Sequence, residues 1–169
     1  KDHFLFDEKI KVPLLLIGKN VPKGKKISQQ VRTVDIFPTL FDLLGIKIHE
    51  EIDGSSLIDL MSGIDEDEKI AYMESTPLVL TDSNDVIGIR TSKYKYFRDK
   101  TNPKNRIHLY DLENDPFEDF NIASSNMDKI NDFENILSNI TKDSEKNSNN
   151  EDELNSEEIE NELRKLGYL

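Results

Sequence analysis

The apolar run VPLLLIG, Val12 to Gly18, constrains the fold of this chain more than any other feature. A continuous apolar run of this length is typical of a strand that is buried on both faces of a sheet. Such a strand needs neighbouring strands and covering helices, yet only eleven residues precede it. Two interpretations follow, a short standalone α+β domain or the C-terminal part of a larger α/β protein, and we favour the second.

Two helices are predicted after this run. The segment from Arg32 to Ile46 has apolar residues at helical spacing and a glycine, Gly45, where the helix should end. A shorter helix is expected in DGSSLIDLMSG, closed by Gly63.

From Lys69 the apolar pattern changes to alternation, which indicates strands. Four are predicted, in KIAYMES, DVIGIRTS, KYKYFRD and IHLYDLE. In the third strand Tyr94 and Tyr96 share one face, and Lys93, Lys95 and Phe97 share the other. We expect the tyrosines to cover a small core while the lysines stay in solvent. Residues 127–141 then predict an amphipathic helix, residues 142–155 a flexible acidic linker, and residues 156–169 a last helix capped by Ser156.

Composition excludes several classes of function. The net charge of −12 disfavours nucleic acid or an anionic membrane as a partner, and no apolar run is long enough to cross a bilayer. The absence of cysteine excludes disulfides, thiolate metal sites and a cysteine nucleophile within these residues. It also favours a cytoplasmic location, although microbial secreted enzymes can be equally poor in cysteine, so the compartment stays open.

Few residues are candidates for chemistry. His3 precedes the apolar run, and loops at a sheet edge often carry histidines that bind anions or donate protons. The alternative is an ordinary surface histidine. His49 lies beside Glu50, Glu51 and Asp53, a set that could bind a cation but that we interpret as a solvated acidic loop. We therefore predict no metal site and no complete active site in these residues.

The ordered segments DHFLFDEKIKVPLLLIG, VRTVDIFPTLFDLLGI, IDGSSLIDLMSG, GIRTSKYKYFRD and LYDLENDPFEDFNIA resemble those of the sulfatase family of the alkaline phosphatase superfamily. The closing segment ELRKLGYL is similar as well. The resemblance covers residues 1–123 and 156–169. It implies an α/β fold: residues 1–64 as the C-terminal end of the catalytic domain, and residues 65–141 as a small subdomain with a four-stranded antiparallel sheet and a helix.

The resemblance also implies hydrolysis of a sulfate ester, in a small molecule or a saccharide, by a formylglycine nucleophile assisted by a divalent cation, usually calcium. The family's nucleophile and metal ligands lie upstream of the matching segments, so they would belong to a missing N-terminal catalytic part. His3, or alternatively Lys1, lies where the family places a cationic residue facing the sulfate or leaving group. The resemblance assigns Arg32 and Arg90 to loop and sheet contacts.

Two other functions stay open. A phosphodiester or phosphonate hydrolase, or a phosphoglycerol transferase, of the same superfamily would have a similar C-terminal half. A non-catalytic acidic binding module is the alternative from another class. We expect the 169-residue chain by itself to hydrolyse no sulfate ester and to bind calcium weakly.

Overall fold

An antiparallel sheet forms the centre of the first of two structural units, Lys1–Asn126 and Met127–Leu169. The computed structural model describes residues 5–64, 67–75 and 85–142. Four strands follow one another in the order β1-β2-β3-β4. They are β1 (Ala71–Ser75), β2 (Val86–Arg90), β3 (Tyr94–Asp99) and β4 (His108–Asp111). The predicted four-stranded antiparallel sheet is confirmed.

The middle of the sheet is buried on both faces. Four of the five β2 residues and five of the six β3 residues are buried. Gly88 lies opposite Phe97 in the pairing of these strands. A Cβ on Gly88 would lie 2.3 Å from the Tyr96 carbonyl oxygen, so only glycine lets the two strands approach this closely.

Among the described residues, three helices precede the sheet: α1 (Asp7–Ile10), α2 (Ile36–Leu44) and α3 (Ile58–Ser62), with a 3-10 turn at Thr33–Asp35. Both glycines that the sequence suggests as helix ends are C-caps, with φ of 69° at Gly45 and 91° at Gly63. These left-handed conformations favour glycine, which confirms both predicted helix ends.

A hydrogen-bonded junction joins α2 to the loop before α3. The buried Asp35 carboxylate accepts bonds from Arg32 and from the Ser55 amide. The Thr39 hydroxyl donates to the Asp35 carbonyl and accepts the Leu57 amide. Arg32 therefore makes the loop contact that the resemblance assigns to it.

The predicted buried strand at Val12 to Gly18 is wrong for this structure. These residues belong to none of the strands, and Leu15 and Ile17 are 79% and 87% exposed. A strand exists only where a neighbour accepts and donates its backbone hydrogen bonds. The four strands of this sheet pair with one another, so residues 12–17 have no partner strand among the described residues.

The expectation that both lysines of the third strand stay in solvent is also wrong. The Lys93 side chain is 55% exposed, but that of Lys95 is fully buried. Lys95 shares its face with Phe97, which lies in the core beside Phe6 and Tyr110. This part of the face is covered, so the Lys95 side chain is taken out of water together with that of Phe97.

The second unit begins with a helix over residues 127–142, here α4, as predicted. Ile130, Phe133 and Leu137 are buried, at the three- and four-residue spacing of one helix face. The expected linker from residue 143 and the helix at residues 156–169 lie outside the described residues. The division of the chain at residue 64 stays a prediction. None of the helices in the described part of the chain is long and apolar enough to span a membrane.

Candidate functional site: a buried charge cluster behind the amino-terminal segment

The first described residues of the chain are packed into the core of the sheet. Leu5 and Phe6 are 2% and 6% exposed and lie in one cluster with Phe97, Tyr110 and Val86. The Phe6 and Phe97 rings meet edge to face with their centroids 5.6 Å apart, a favoured aromatic geometry. The short helix α1 follows at once, so its first residue, Asp7, lies at the edge of this core.

Two cations face each other beside the core. Arg90 of β2 lies directly opposite Lys95 of β3 in the strand pairing. The exposed fraction is 14% for the Arg90 side chain and zero for that of Lys95. Like charges directly opposite one another destabilise a sheet, and a buried charge is tolerated only with a counter-ion. This pair of residues therefore requires a carboxylate between them.

Asp7 supplies that carboxylate. Arg90 donates two hydrogen bonds to it, Nε to Oδ1 at 2.9 Å and Nη2 to Oδ2 at 2.6 Å, and Lys95 forms an ion pair with Oδ1. Burial by itself would raise the pKa of the Asp7 carboxyl. The hydrogen bonds from Arg90 and the positive charges of Lys95 and Arg90 outweigh burial and lower this pKa to about 2.

Glu118 closes the cluster from the other side. Its Oε1 lies 2.6 Å from Lys95 Nζ, and its Oε2 accepts the Asp7 backbone N–H at 2.7 Å. The Lys95 contacts are ion pairs and not aligned hydrogen bonds. Glu118 has a φ of 58°, a conformation that costs a non-glycine residue about 1–2 kcal/mol. The turn therefore places a buried carboxylate at a position where glycine would fit the backbone better.

Arg90 also binds the loop that precedes α2. Its Nη1 donates to the Gln30 side-chain oxygen, and Gln30 Nε2 donates to the Arg90 carbonyl at 3.0 Å. Asp7 lies before the apolar run at residues 12–17, and Gln30 lies after it. One arginine at the end of β2 thus fixes the chain on both sides of the exposed run, and it makes the sheet contact that the resemblance assigns to it.

We name Asp7, Arg90, Lys95 and Glu118 the anchor cluster. His3 and Lys1, the residues predicted to meet the substrate, lie outside the described residues, so their roles stay predictions. Among residues 5–64, 67–75 and 85–142, no three His, Asp or Glu side chains are arranged to hold a metal ion. The described residues therefore do not fit the calcium ion that the resemblance implies, whose ligands the resemblance places upstream of the matching segments.

The sequence did contain a signal for the anchor cluster. Lys95 alternates with Phe97, so a buried phenylalanine two residues along the same strand placed Lys95 on a core face. Its partners were not recognisable because Asp7 and Arg90 are 83 residues apart, and Asp7 and Glu118 are 111 residues apart. Glu118 is one of several acids in its turn, and only the fold selects it.

The comparisons with known proteins identify the family. The model of the N-sulphoglucosamine sulphohydrolase C-terminal family matches residues 1–146. The chain belongs to this family. Arylsulfatase K of the mouse (Mus musculus) is 28% identical over 126 residues, which are 71% of this chain and 23% of that protein. Arylsulfatase K of Danio rerio is 31% identical over 141 residues, which are 80% of this chain and 27% of that protein.

Solved sulfatases have the same fold as this member of the sulfohydrolase C-terminal family. A 2-O GAG sulfatase aligns with a TM-score of 0.66 and 23% identity, over 79% of this chain and 30% of its own. A protein solved with its substrate D-glucosamine-2-N,6-O-disulfate aligns with a TM-score of 0.55 and 25% identity, over 67% of this chain and 24% of its own. The chain spans about a quarter of the length of the curated relatives it matches. The expected C-terminal sulfatase fold is confirmed.

Proposed function

We propose that this chain is the C-terminal portion of an intact sulfatase that hydrolyses sulfate esters. The observation that carries the proposal is the family match over residues 1–146 by a chain that spans 23% of mouse arylsulfatase K. In this reaction water is added across the ester, the S–O bond to the leaving group breaks, and an alcohol and sulfate are released. The leaving oxygen needs a proton, which a positioned side chain can supply.

The exposed apolar residues support a partner that covers them, namely the remaining catalytic part of the same protein. Leu15 and Ile17 of the extended run are largely exposed, and so are Phe37 and Leu44 of α2, at 49% and 71%. Large apolar side chains exposed in this number are typical of a site of protein contact. A strand of the remaining part can supply backbone hydrogen bonds to residues 12–17, which have no partner strand among the described residues.

His3 is the proposed catalytic residue of this chain, and Lys1 the proposed substrate-binding residue. Both precede Leu5 and Phe6, which the core of the sheet holds in place. An imidazolium or ammonium group attracts the sulfate anion, and an imidazolium can also donate a proton to the leaving oxygen.

The divalent cation, which we propose to be calcium, and the formylglycine belong to the remaining part of the intact protein. The substrate class we propose is a sulfated saccharide. The support is the relative whose structure was solved in complex with its substrate, D-glucosamine-2-N,6-O-disulfate, and which is 25% identical to this chain. This chain has a net charge of −12 and therefore repels an anionic substrate overall. The substrate must be attracted by the cationic groups around the active site.

The experiment compares the intact protein with the 169-residue chain by itself. Both are assayed with 4-nitrophenyl sulfate and 4-nitrophenyl phosphate, and the intact protein also with glucosamine sulfates. We expect turnover of the sulfates by the intact protein and none by the chain alone. A preference for the phosphate would indicate phosphoryl chemistry, and no turnover of any ester by the intact protein would refute the proposal.

A further inference from the structure

We propose that the loop at residues 19–26, here the basic loop, binds a sulfated polysaccharide through the ammonium groups of Lys19, Lys23 and Lys26. The inference deepens the proposed function, because the choice of a sulfated polymer as the anion rests on it. In this proposal the three lysines bind sulfate groups of the polymer other than the one that is hydrolysed.

The first argument is the uneven distribution of charge along the chain. The whole chain has 34 acidic and 22 basic side chains. Between Glu8 and Asp35, however, the sequence contains six lysines, one arginine and no acidic residue. A polyanion that the chain repels overall can therefore approach it at this segment, where every charged side chain is positive.

The second argument is that the three lysines of the basic loop have no other contact to make. Lys19, Lys23 and Lys26 are exposed, and they form no ion pair with a carboxylate of the described residues. Arg32, in the same segment, is already paired with Asp35 at 2.7 Å. An anionic ligand can therefore bind the three free ammonium groups without breaking a contact within the described part of the chain.

The third argument is that the basic loop has a defined conformation. Asn20 and Gly24 have φ of 68° and 65°, in the left-handed region that asparagine and glycine tolerate. The Lys25 ammonium group donates a hydrogen bond to the Met61 carbonyl at 2.7 Å and so fixes the loop to the C-terminal end of α3. A loop that is already ordered loses less conformational entropy when a ligand binds.

The competing occupant of the basic loop is an acidic surface of the remaining catalytic part, which we propose covers the apolar run before the loop. Lysine is depleted from the buried centre of protein interfaces, and an ammonium group buried without a counter-ion is destabilising. The basic loop is therefore expected at the solvent-exposed rim of that contact. Sulfate groups repeat along a sulfated polysaccharide, so three ammonium groups within eight residues can bind several of them at once.

The experiment uses the intact protein and two variants. The loop variant replaces the three lysines by glutamine, which removes the charge and keeps a similar polar chain: Lys19→Gln, Lys23→Gln and Lys26→Gln. The matched control variant removes the same charge at exposed positions outside residues 9–34: Lys47→Gln, Lys104→Gln and Lys142→Gln. For each protein we would measure the melting temperature and, by fluorescence anisotropy, the Kd of a labelled heparin octasaccharide at about 50 and about 200 mM sodium chloride.

We expect the wild type to bind the octasaccharide, and the loop variant to bind it at least about tenfold more weakly at the lower salt concentration. The slope of log Kd against log salt concentration should be smaller by about 2–3 in the loop variant, because each contact with a polyanion releases nearly one counter-ion. The control variant should bind within about twofold of the wild type. Neither variant should have a lower melting temperature, since the replaced side chains are exposed.

The inference is overturned if the wild type does not bind the octasaccharide, or if both variants weaken binding equally, because net charge alone would then explain the loss. A lower melting temperature of the loop variant with unchanged octasaccharide binding would also overturn it, and would indicate that the remaining catalytic part covers the loop.

Failure of the proposed function can be distinguished from failure of this inference, because the anisotropy measurement needs no turnover. A wild type that hydrolyses no sulfate ester would refute the sulfatase activity. If that protein still bound the octasaccharide and lost this binding only in the loop variant, the basic loop would be supported as a binding surface for sulfated polymers.

Discussion

Strand β2 and the run at residues 12–17 have similar apolar sequences and opposite surroundings. VIGIR in β2 is buried on four of its five positions, whereas Leu15 and Ile17 in VPLLLIG are the most exposed aliphatic residues of their region. β2 has β1 on one side and β3 on the other. The run at residues 12–17 has no such neighbour among the described residues.

The difference shows that an apolar run specifies a buried strand only when a partner is within reach. Local chain supplies the partners of β2, so its burial is complete within this unit. The other run is instead held at its two sides by Arg90, through Asp7 and Gln30, and its apolar side chains face outward. The sheet is thus complete among the described residues, and those residues leave the apolar run exposed.

The largest effect on stability is expected at Lys95, in the sheet. Lys95→Met leaves the buried carboxylates of Asp7 and Glu118 without their shared cation and should lower the free energy of unfolding by about 3–5 kcal/mol. Urea unfolding of the chain measures it. Lys93→Met, at an exposed position next to the same strand, is the control and should leave the urea midpoint nearly unchanged. Equal midpoints for the two variants would contradict a buried anchor.

These residues also show where prediction from sequence ends. Helix ends and strands were predictable because their signals are local: Gly45 and Gly63 adopt left-handed conformations, and the alternation around Tyr96 has the period of a strand. The anchor cluster was not, since its members come from α1, two strands and a turn. The exposure of residues 12–17 was not predictable either. An apolar sequence indicates that a segment should be buried, but not which part of the protein buries it.

The next largest effect is expected at the contact between β2 and β3. A Cβ added to Gly88 would lie 2.3 Å from the Tyr96 carbonyl oxygen and 2.5 Å from Phe97 Cβ. Gly88→Ala must push the strands apart and should destabilise the chain by about 1–3 kcal/mol. Gly18→Ala is the matched substitution at the exposed run, where a Cβ meets only Val21 at 3.9 Å, and should be neutral. The melting temperatures of both variants are measured by thermal unfolding. Equal melting temperatures would mean that β2 and β3 can move apart at no cost in stability.

A smaller effect depends on pH. The pKa of Asp7 falls from 3.8 to about 2 on folding, so the unfolded chain takes up a proton at this residue before the folded chain does. The stabilisation from Asp7 is complete above about pH 5 and is lost as the pH falls through 3.8 towards 2. The loss is at most about 2 kcal/mol. The free energies of unfolding of the wild type and of Asp7→Asn should therefore differ more at pH 5 than at pH 2. A difference that does not change with pH would contradict the ion pairs of Asp7.

The smallest effect in the isolated chain is expected at the exposed run, and it is also the sharpest test of the comparison. Leu15→Ser with Ile17→Ser should change the free energy of unfolding of this chain by less than about 0.5 kcal/mol, since both side chains already lie in water. Leu109→Ala, at a fully buried position in β4, is the control for a core residue and should cost about 2–5 kcal/mol.

In the intact protein the same two serines should have a large effect. If the remaining catalytic part covers the run, each substitution removes a buried aliphatic side chain that contributes about 1.5–3 kcal/mol. The pair should then lower the melting temperature of the intact protein while leaving that of the chain unchanged. A loss of stability in the chain alone would mean that the run is packed within this unit, and no loss in either protein would mean that nothing covers it.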